Sequence, residues 1–464
     1  MTLAVLVAAI ARPATRAARV AWTSCLVAGM LACGASTVAC GAGPLEAAHW
    51  IARCTEPDRV VADANAVAAF NRRLLAEDPA LTDLAKLPAT IPQAEVEERV
   101  RRRSAVPDRP LVFGDGTPAD EAARRRWREA IDDASIPATV EPRFALIVRR
   151  AAVRRLPTRE RVHASAADTD IDQFQETAFF PGTPVAVVHA TADSRWAFVI
   201  GTTYDGWVES DALAFGSRAD VLGYAERASR VITAARATTA FTPELPAASA
   251  VDLDMGTTLP ERCDWPSTTA VNGQSAAAAV VVELPLRDAT GVLRIAPALL
   301  PLSAGSHDGP LPATRANLLR QAFSFLGERY GWGHDFDGRD CSGFVSDVYK
   351  SLGFLLPRNT RDQQISPCLD RTPLPAEWSR DRRMSAVAAL RPGDLAYSRR
   401  HVMMVVGHDE AGPWVIHDTH EGRPASGAAA ANGVVVQPLG TIDPSLASLT
   451  TLVRILPSSP TEPP

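Results

Sequence analysis

The sequence predicts an α+β protein built from successive modules. Three observations predict it. The N-terminal quarter carries helix-period apolar spacing broken by prolines. Two middle stretches carry short apolar runs separated by turn residues, the pattern of small β-barrels. The last third joins a helix that starts at a cysteine to several buried strands, two of them carrying histidines. The chain has 464 residues, enough for roughly two to four domains. Hydrophobic residues make up 46% and charged ones 22%, the balance of a globular protein with ordinary cores. The net charge of -5 provides no basic excess to hold a nucleic acid. Of 48 Lys and Arg residues only Lys86 and Lys350 are lysine, which makes a catalytic lysine a poor choice.

Residues 1–40 read as an export signal. Arg12, Arg16 and Arg19 precede an apolar run from Val20 to Ala32, followed by small residues. The run is too short for a membrane-spanning helix. Met30-Leu-Ala-Cys33 and Thr37-Val-Ala-Cys40 both resemble a bacterial lipoprotein box, so Cys33 and Cys40 are the lipidation candidates. A lipoprotein is preferred over an ordinary cleaved signal. The mature chain is then expected in the cell envelope, facing the periplasm and touching a membrane only through its lipid. The seven cysteines show no C-x-x-C and no regular spacing, which speaks against a disulfide framework or a zinc knuckle.

Residues 44–142 read as a helical stabilising segment. Helices are expected at 47–54, 62–75, 95–103 and 119–131, with Val96, Val100, Trp127 and Ile131 inward and the Arg clusters at 101–103 and 124–126 in solvent. No chemistry is visible there. From residue 143 the period changes to that of strands. Phe144 to Arg149, Pro184 to His189, Trp196 to Gly201 and Asp205 to Val208 are strand candidates of a first barrel, 143–215, with Trp196 and Trp207 as core or rim aromatics rather than ligand platforms. Asp205-Gly206 reads as a hairpin turn. A second barrel, 216–305, is expected from Val231 to Ala235, Ala278 to Pro285 and Gly291 to Ala296. Pro301 to Pro312 reads as a linker, and 317–326 as an amphipathic helix.

The stretch around Cys341 organises the rest. A Gly-rich, aromatic approach, Tyr330-Gly-Trp-Gly, runs to Asp340. Phe344, Val345, Val348, Tyr349 and Leu352 then place one apolar stripe on a helix. Gly353 stops it and Pro357 prevents its continuation. Cys341 therefore sits at or within a residue or two of a helix N-terminus, with Asp340 or Ser342 as cap. Unpaired N–H groups and the helix dipole favour a thiolate there; a buried structural cysteine is the competing reading. Further on, His401 opens a continuous apolar run, and His417 lies in the strand expected to pair with it. Later strands are expected at 433–437 and 449–455, with a disordered tail at 457–464. A hydrolytic cysteine needs a base to share its proton and a group to orient that base. Cys341, His401 and His417 would meet this need in a papain-like geometry. The same three residues could bind a metal, but their mixed spacing argues against a structural zinc site. His408 and His420 are expected in turns, facing solvent.

Five blocks in order carry a family resemblance: Tyr330-Gly-Trp-Gly, Asp340-Cys-Ser-Gly-Phe344, Leu356-Pro-Arg-Asn-Thr360, Pro392-Gly-Asp-Leu395 and His401-Val402. Over residues 313–456 the chain resembles the NlpC-type cell-wall cysteine peptidases of the NlpC/p60 superfamily. Upstream it resembles the multidomain branch, in which a helical segment and two bacterial SH3-like barrels precede the papain-like catalytic domain. The resemblance implies Cys341 as nucleophile, His401 as general base and His417 as the orienting residue, with His420 as the fallback. It implies a substrate site at Asp340, Ser342, Thr360 and Tyr330, to which the first barrel adds Tyr204 and Glu176 against a substrate ammonium group. It also implies cleavage of the γ-D-glutamyl-L-diamino-acid bond of peptidoglycan stem peptides with a free N-terminal L-Ala. The partners would be peptidoglycan or murein peptides, with no cofactor and no metal. An inert wall-binding protein, or an amidase or acyltransferase on the same fold, are the alternatives. The sequence departs from the family at His334 and Asp335, where a further glycine is usual, and in the length between His401 and His417.

Overall fold

The computed structural model describes residues 43–410, 412–422 and 431–457. The predicted export signal with Cys33 and Cys40, and the tail from residue 458, lie outside the described residues. No helix among the described residues is long and apolar enough to cross a membrane.

The N-terminal segment folds as Ala47–Ile51, Ala64–Glu77, Gln93–Arg103 and Glu121–Ala130. Asp63 and Asp120 start two of these helices by accepting from the backbone N–H three residues on, the usual N-cap arrangement. Each piece buries its apolar stripe on a different partner. Trp50 and Leu74 join the core of the C-terminal domain. Val96 and Val100 pack with Phe198 and Trp207 of the first barrel, and Trp127 packs with Leu156 and Phe174. The arginine clusters are not all solvated as expected. Arg103 lies over the Tyr204 ring, 4.1 Å from its centroid. Arg102 lies 3.7 Å from the buried Asp205 carboxylate, with which Arg99, outside the cluster, pairs at 3.0 Å.

The first barrel is a seven-stranded antiparallel sheet, ordered Leu213–Phe215, Arg143–Ile147, Pro184–Ala190, Trp196–Gly201, Asp205–Glu209, Ala151–Arg154, Gln175–Phe179. Asp205 and Gly206 are inside a strand and not at the turn, which falls on Thr202 and Thr203: Asp205 pairs with Ile200, and the Gly201 N–H donates to the Tyr204 carbonyl. Gly206 answers a packing need, because a Cβ there would lie 2.6 Å from a Val153 methyl. Trp196 and Trp207 are buried.

The next stretch forms three small sheets around one apolar core that includes Ile232, Leu253, Leu259, Val282 and Leu300. The segment read as a linker contributes to it: Ser306–Asp308 pairs antiparallel with Ala228–Ile232.

The C-terminal domain is a six-stranded antiparallel sheet, ordered Asp370–Pro373, Leu449–Arg454, Leu395–Ser398, Val402–Asp409, Gly412–Gly422, Ala431–Pro438. The helices Arg315–Phe323 and Cys341–Ser351 lie on it. Phe344, Val345, Val348 and Tyr349 from the second helix share a core with Val402, Met404, Ile416 and Val434. That packing fixes where the start of the helix meets the sheet.

Candidate active site

Asp340 caps the helix Cys341–Ser351, its Oδ1 accepting the Gly343 N–H at 2.8 Å. Cys341 is the first helical residue and is 6% exposed. Its Sγ lies 3.4 Å from Thr360 Oγ1, and the backbone N–H of Val402 hydrogen-bonds the sulfur. Val402 follows His401, so the thiol sits against the start of the His401 strand. Gly343 admits the ring of His334, one carbon of which would lie 2.6 Å from a Cβ at that position.

His401 Nε2 and His417 Nδ1 are 2.6 Å apart, brought together by the antiparallel pairing of Val402–Asp409 with Gly412–Gly422. His417, not His420, is the ring against His401. His420 lies 3.5 Å from Asp168 and 3.6 Å from Asp170 and tilts onto the Tyr330 ring, 5.8 Å away. The expectation that His408 and His420 face solvent from turns does not hold. Both are half-buried and lie in strands, because the hairpin strands run further than the sequence suggested.

Burial works against the expected ionisation of the thiol. Burial first, and the charge of Asp340 second, push Cys341 up to about 11, against the hydrogen bonds from Thr360 and Val402. Burial brings His401 down to about 4. His417 is lowered by burial and by the neighbouring ring. Both shifts favour a neutral thiol and a neutral imidazole at rest. Alkylation of Cys341 by iodoacetamide in the unliganded chain is therefore expected to accelerate about tenfold per pH unit from neutrality towards pH 10. Mass spectrometry of the Cys341 peptide reads it, and a rate independent of pH over that range would reveal a preformed thiolate.

Under the cysteine lies a buried cation that the sequence reading passed over. Arg358 donates to both Asp340 oxygens at 3.0 and 2.7 Å, to Ser342 Oγ at 3.0 Å, to Thr177 Oγ1 at 2.6 Å and to His334 Nδ1 at 2.9 Å. Burial opposes the Asp340 charge, but Arg358 outweighs it and holds the carboxyl at about 2. Asp340 and Ser342 are thus committed to Arg358. His334, one of the departures from the family, fills a place in this network. The other, Asp335, pairs with Arg161 of the barrel. Arg358 stands in the quoted Leu356-to-Thr360 block, so its signal was present but unweighed. Tyr330 is buried, its hydroxyl raised first by burial and then by its acidic neighbours Cys341, Asp340 and Asp418. Asp418 is fully buried, with neither carboxylate oxygen hydrogen-bonded; burial and the acids Asp340 and Glu328 hold it towards its neutral form. Gln437 was also missed. Its carboxamide lies 3.0 Å from His417 Nε2, and its only signal is one polar residue after the run Val434-Val435-Val436.

The first barrel reaches this site through Gln175–Phe179. Gln175 donates to the Gly333 carbonyl at 2.8 Å, and Trp332 donates to the Gln175 carbonyl at 3.0 Å. Gly333 has a φ of 57° and approaches the Glu176 backbone too closely for a Cβ, so only glycine meets both demands without strain. The Tyr204 hydroxyl donates to Glu176, so the two residues named for ammonium binding do meet. Glu176 also carries Arg155, 2.6 Å away. Among the described residues no group of three or more His, Cys, Asp or Glu side chains is placed to hold a metal ion.

Residues 327–426 match the NlpC/P60 family, and residues 160–209 match an SH3 domain of the SH3b1 type. No curated protein matches the sequence. Among solved structures the fold is similar to an NlpC/P60 endopeptidase from Photobacterium damselae subsp. piscicida, at TM-score 0.69 and 15% identity, covering 87% of this chain and 96% of that one. An NlpC/P60 family protein from Bacillus cereus aligns at TM-score 0.46 and 19% identity, over 68% of this chain and all of that one.

Proposed function

Because the chain carries an NlpC/P60 domain, from a family of cysteine peptidases, together with an SH3b domain, we propose that it is a cell-envelope endopeptidase that cuts the γ-D-glutamyl-L-diamino-acid bond of peptidoglycan stem peptides. The observation that carries this reading is the contact sequence from Cys341 Sγ to the His401–Val402 peptide and on to His417. The roles follow from it. His401 takes the thiol proton as Sγ attacks the γ-glutamyl carbonyl carbon. The backbone N–H of Cys341, free at the helix start, meets the developing oxyanion. Collapse of the tetrahedral intermediate breaks the C–N bond, and His401 returns its proton to the leaving amine. Water then attacks the thioester carbonyl, giving up one proton to His401; the C–S bond breaks, His401 passes that proton to the leaving sulfur, and the γ-carboxyl group loses its remaining proton to solvent.

Thr360, at 3.4 Å from the sulfur, borders the position of the reacting carbon, with Tyr330 beside it. On the barrel side, Tyr204 and Glu176 form the acidic end of the subsite for a free N-terminal L-Ala. An ammonium group arriving there shares Glu176 with Arg155, so the preference for a free amine is expected to be modest. Kinetics on L-Ala-γ-D-Glu-diaminopimelate and its N-acetyl form check this. The free amine should win by no more than about tenfold in kcat/KM, roughly the worth of one shared charged hydrogen bond. Faster cleavage of the acetylated peptide would remove Tyr204 and Glu176 from this role.

A further inference from the structure

Gln437 lies on the strand Ala431–Pro438, two residues beyond Val435, which pairs with His417 across the sheet. It therefore faces the same side as Val435. Its neighbours Val434 and Val436 are buried, and Gln437 itself is 7% exposed. A buried carboxamide is costly unless hydrogen-bonded, and this one meets a ring nitrogen of the histidine pair.

A neutral imidazole carries one N–H and leaves its other nitrogen as acceptor. The His401–His417 contact at 2.6 Å therefore has two proton arrangements, and the group at the far side of His417 selects between them. The structure places the Nε2 end of Gln437 3.0 Å from His417 Nε2, and a half-turn of the carboxamide puts Oε1 at the same spot. If the amide N–H donates, His417 must carry its proton on Nδ1 and donate to His401 Nε2. His401 then holds its own proton on Nδ1 and has no lone pair for the thiol. If Oε1 accepts, every proton shifts the other way.

We propose that Gln437 is a positioning residue that fixes the tautomers of both rings. Its Oε1 accepts the His417 Nε2 proton, His417 Nδ1 accepts the His401 Nε2 proton, and His401 Nδ1 is left bare for the proton of Cys341. The same chain of acceptors stabilises the imidazolium that forms as the sulfur attacks. Burial of Gln437 and His417 keeps water from replacing the carboxamide, and it favours the neutral form of both rings. The proposal rests on the base role given to His401 above.

Two variants of the full chain test it. Gln437→Met keeps the length and removes the acceptor, while Gln437→Glu offers only acceptors. Nitrogen-15 ring spectra of the unliganded wild type, assigned by single histidine replacements, should give both His401 and His417 as Nε2–H tautomers. Gln437→Met should lower kcat on the order of 10²-fold at unchanged KM, and Gln437→Glu should stay within about threefold of wild type. A Nδ1–H tautomer at His417 in the wild type, or wild-type kcat in Gln437→Met, would overturn the assignment. The spectra decide the tautomers even in a chain that cleaves no peptide, so this inference and the proposed hydrolysis fail separately.

Discussion

Cys341→Ala is expected to abolish stem-peptide cleavage while the protein stays folded. The substitution removes the atom that would bond to the carbonyl carbon, and neither His401 nor His417 replaces it. A fall in kcat of about 10³-fold or more follows from losing a covalent nucleophile. The fold should tolerate the change. Cys341 is one small member of a large core that includes Phe344, Val345, Val402 and Met404, and removing one sulfur from it costs about 1 kcal/mol. Asp340 still caps the helix, since the cap bond runs to the Gly343 backbone. Circular dichroism and the thermal midpoint check the fold, and product analysis checks the chemistry. A variant that unfolds would show that Cys341 is a packing residue first.

Arg339→Met is expected to have the largest effect on stability. Arg339 is fully buried. Its guanidinium donates to Asp347 at 2.8 Å, to both oxygens of Glu328 at 2.9 Å, and to Asp254 and the Ala235 carbonyl at 2.9 Å. It also stacks over the Phe325 ring, 4.3 Å from the centroid. Asp254 belongs to the middle sheets and is held as well by Arg150 of the first barrel. One cation thus joins the segment before Cys341 to the modules upstream. Methionine keeps much of the volume but leaves Asp347 and Glu328 without this charge. Breaking a buried ion pair from one side costs about 3–5 kcal/mol, and here several acids lose their partner together. Urea denaturation reads the loss. A change of less than about 1 kcal/mol would mean that the acids find other partners or take up protons at little cost.

The parts legible in the sequence were those with a local physical signature. The helix at Cys341 announced itself through its apolar stripe, with Asp340 as one of two cap candidates, and the strand at His401 through an unbroken apolar run. The pairing of His401 with His417 was legible because adjacent strands of an antiparallel sheet place residues side by side. Readings failed where one residue type serves two purposes. Asp205-Gly206 looks like a turn, yet Gly206 is small because Val153 presses on it and Asp205 is acidic because Arg99 faces it. The Pro-rich stretch at 301–312 looks like a linker, yet three of its residues complete a sheet by backbone hydrogen bonds that composition does not encode. The helix dipole at Cys341 was read without the burial that opposes it. Arg358 and Gln437 were invisible as partners because their contacts come from distant elements: Arg358 reaches Thr177 in the first barrel, and Gln437 reaches His417 across a sheet.

The most direct measurement is the mass spectrum of products after wild-type and Cys341→Ala chains are incubated with L-Ala-γ-D-Glu-diaminopimelate. The account predicts L-Ala-D-Glu and free diaminopimelate from the wild type and intact peptide from the variant. The same two fragments from both chains, or intact peptide from both, would contradict it.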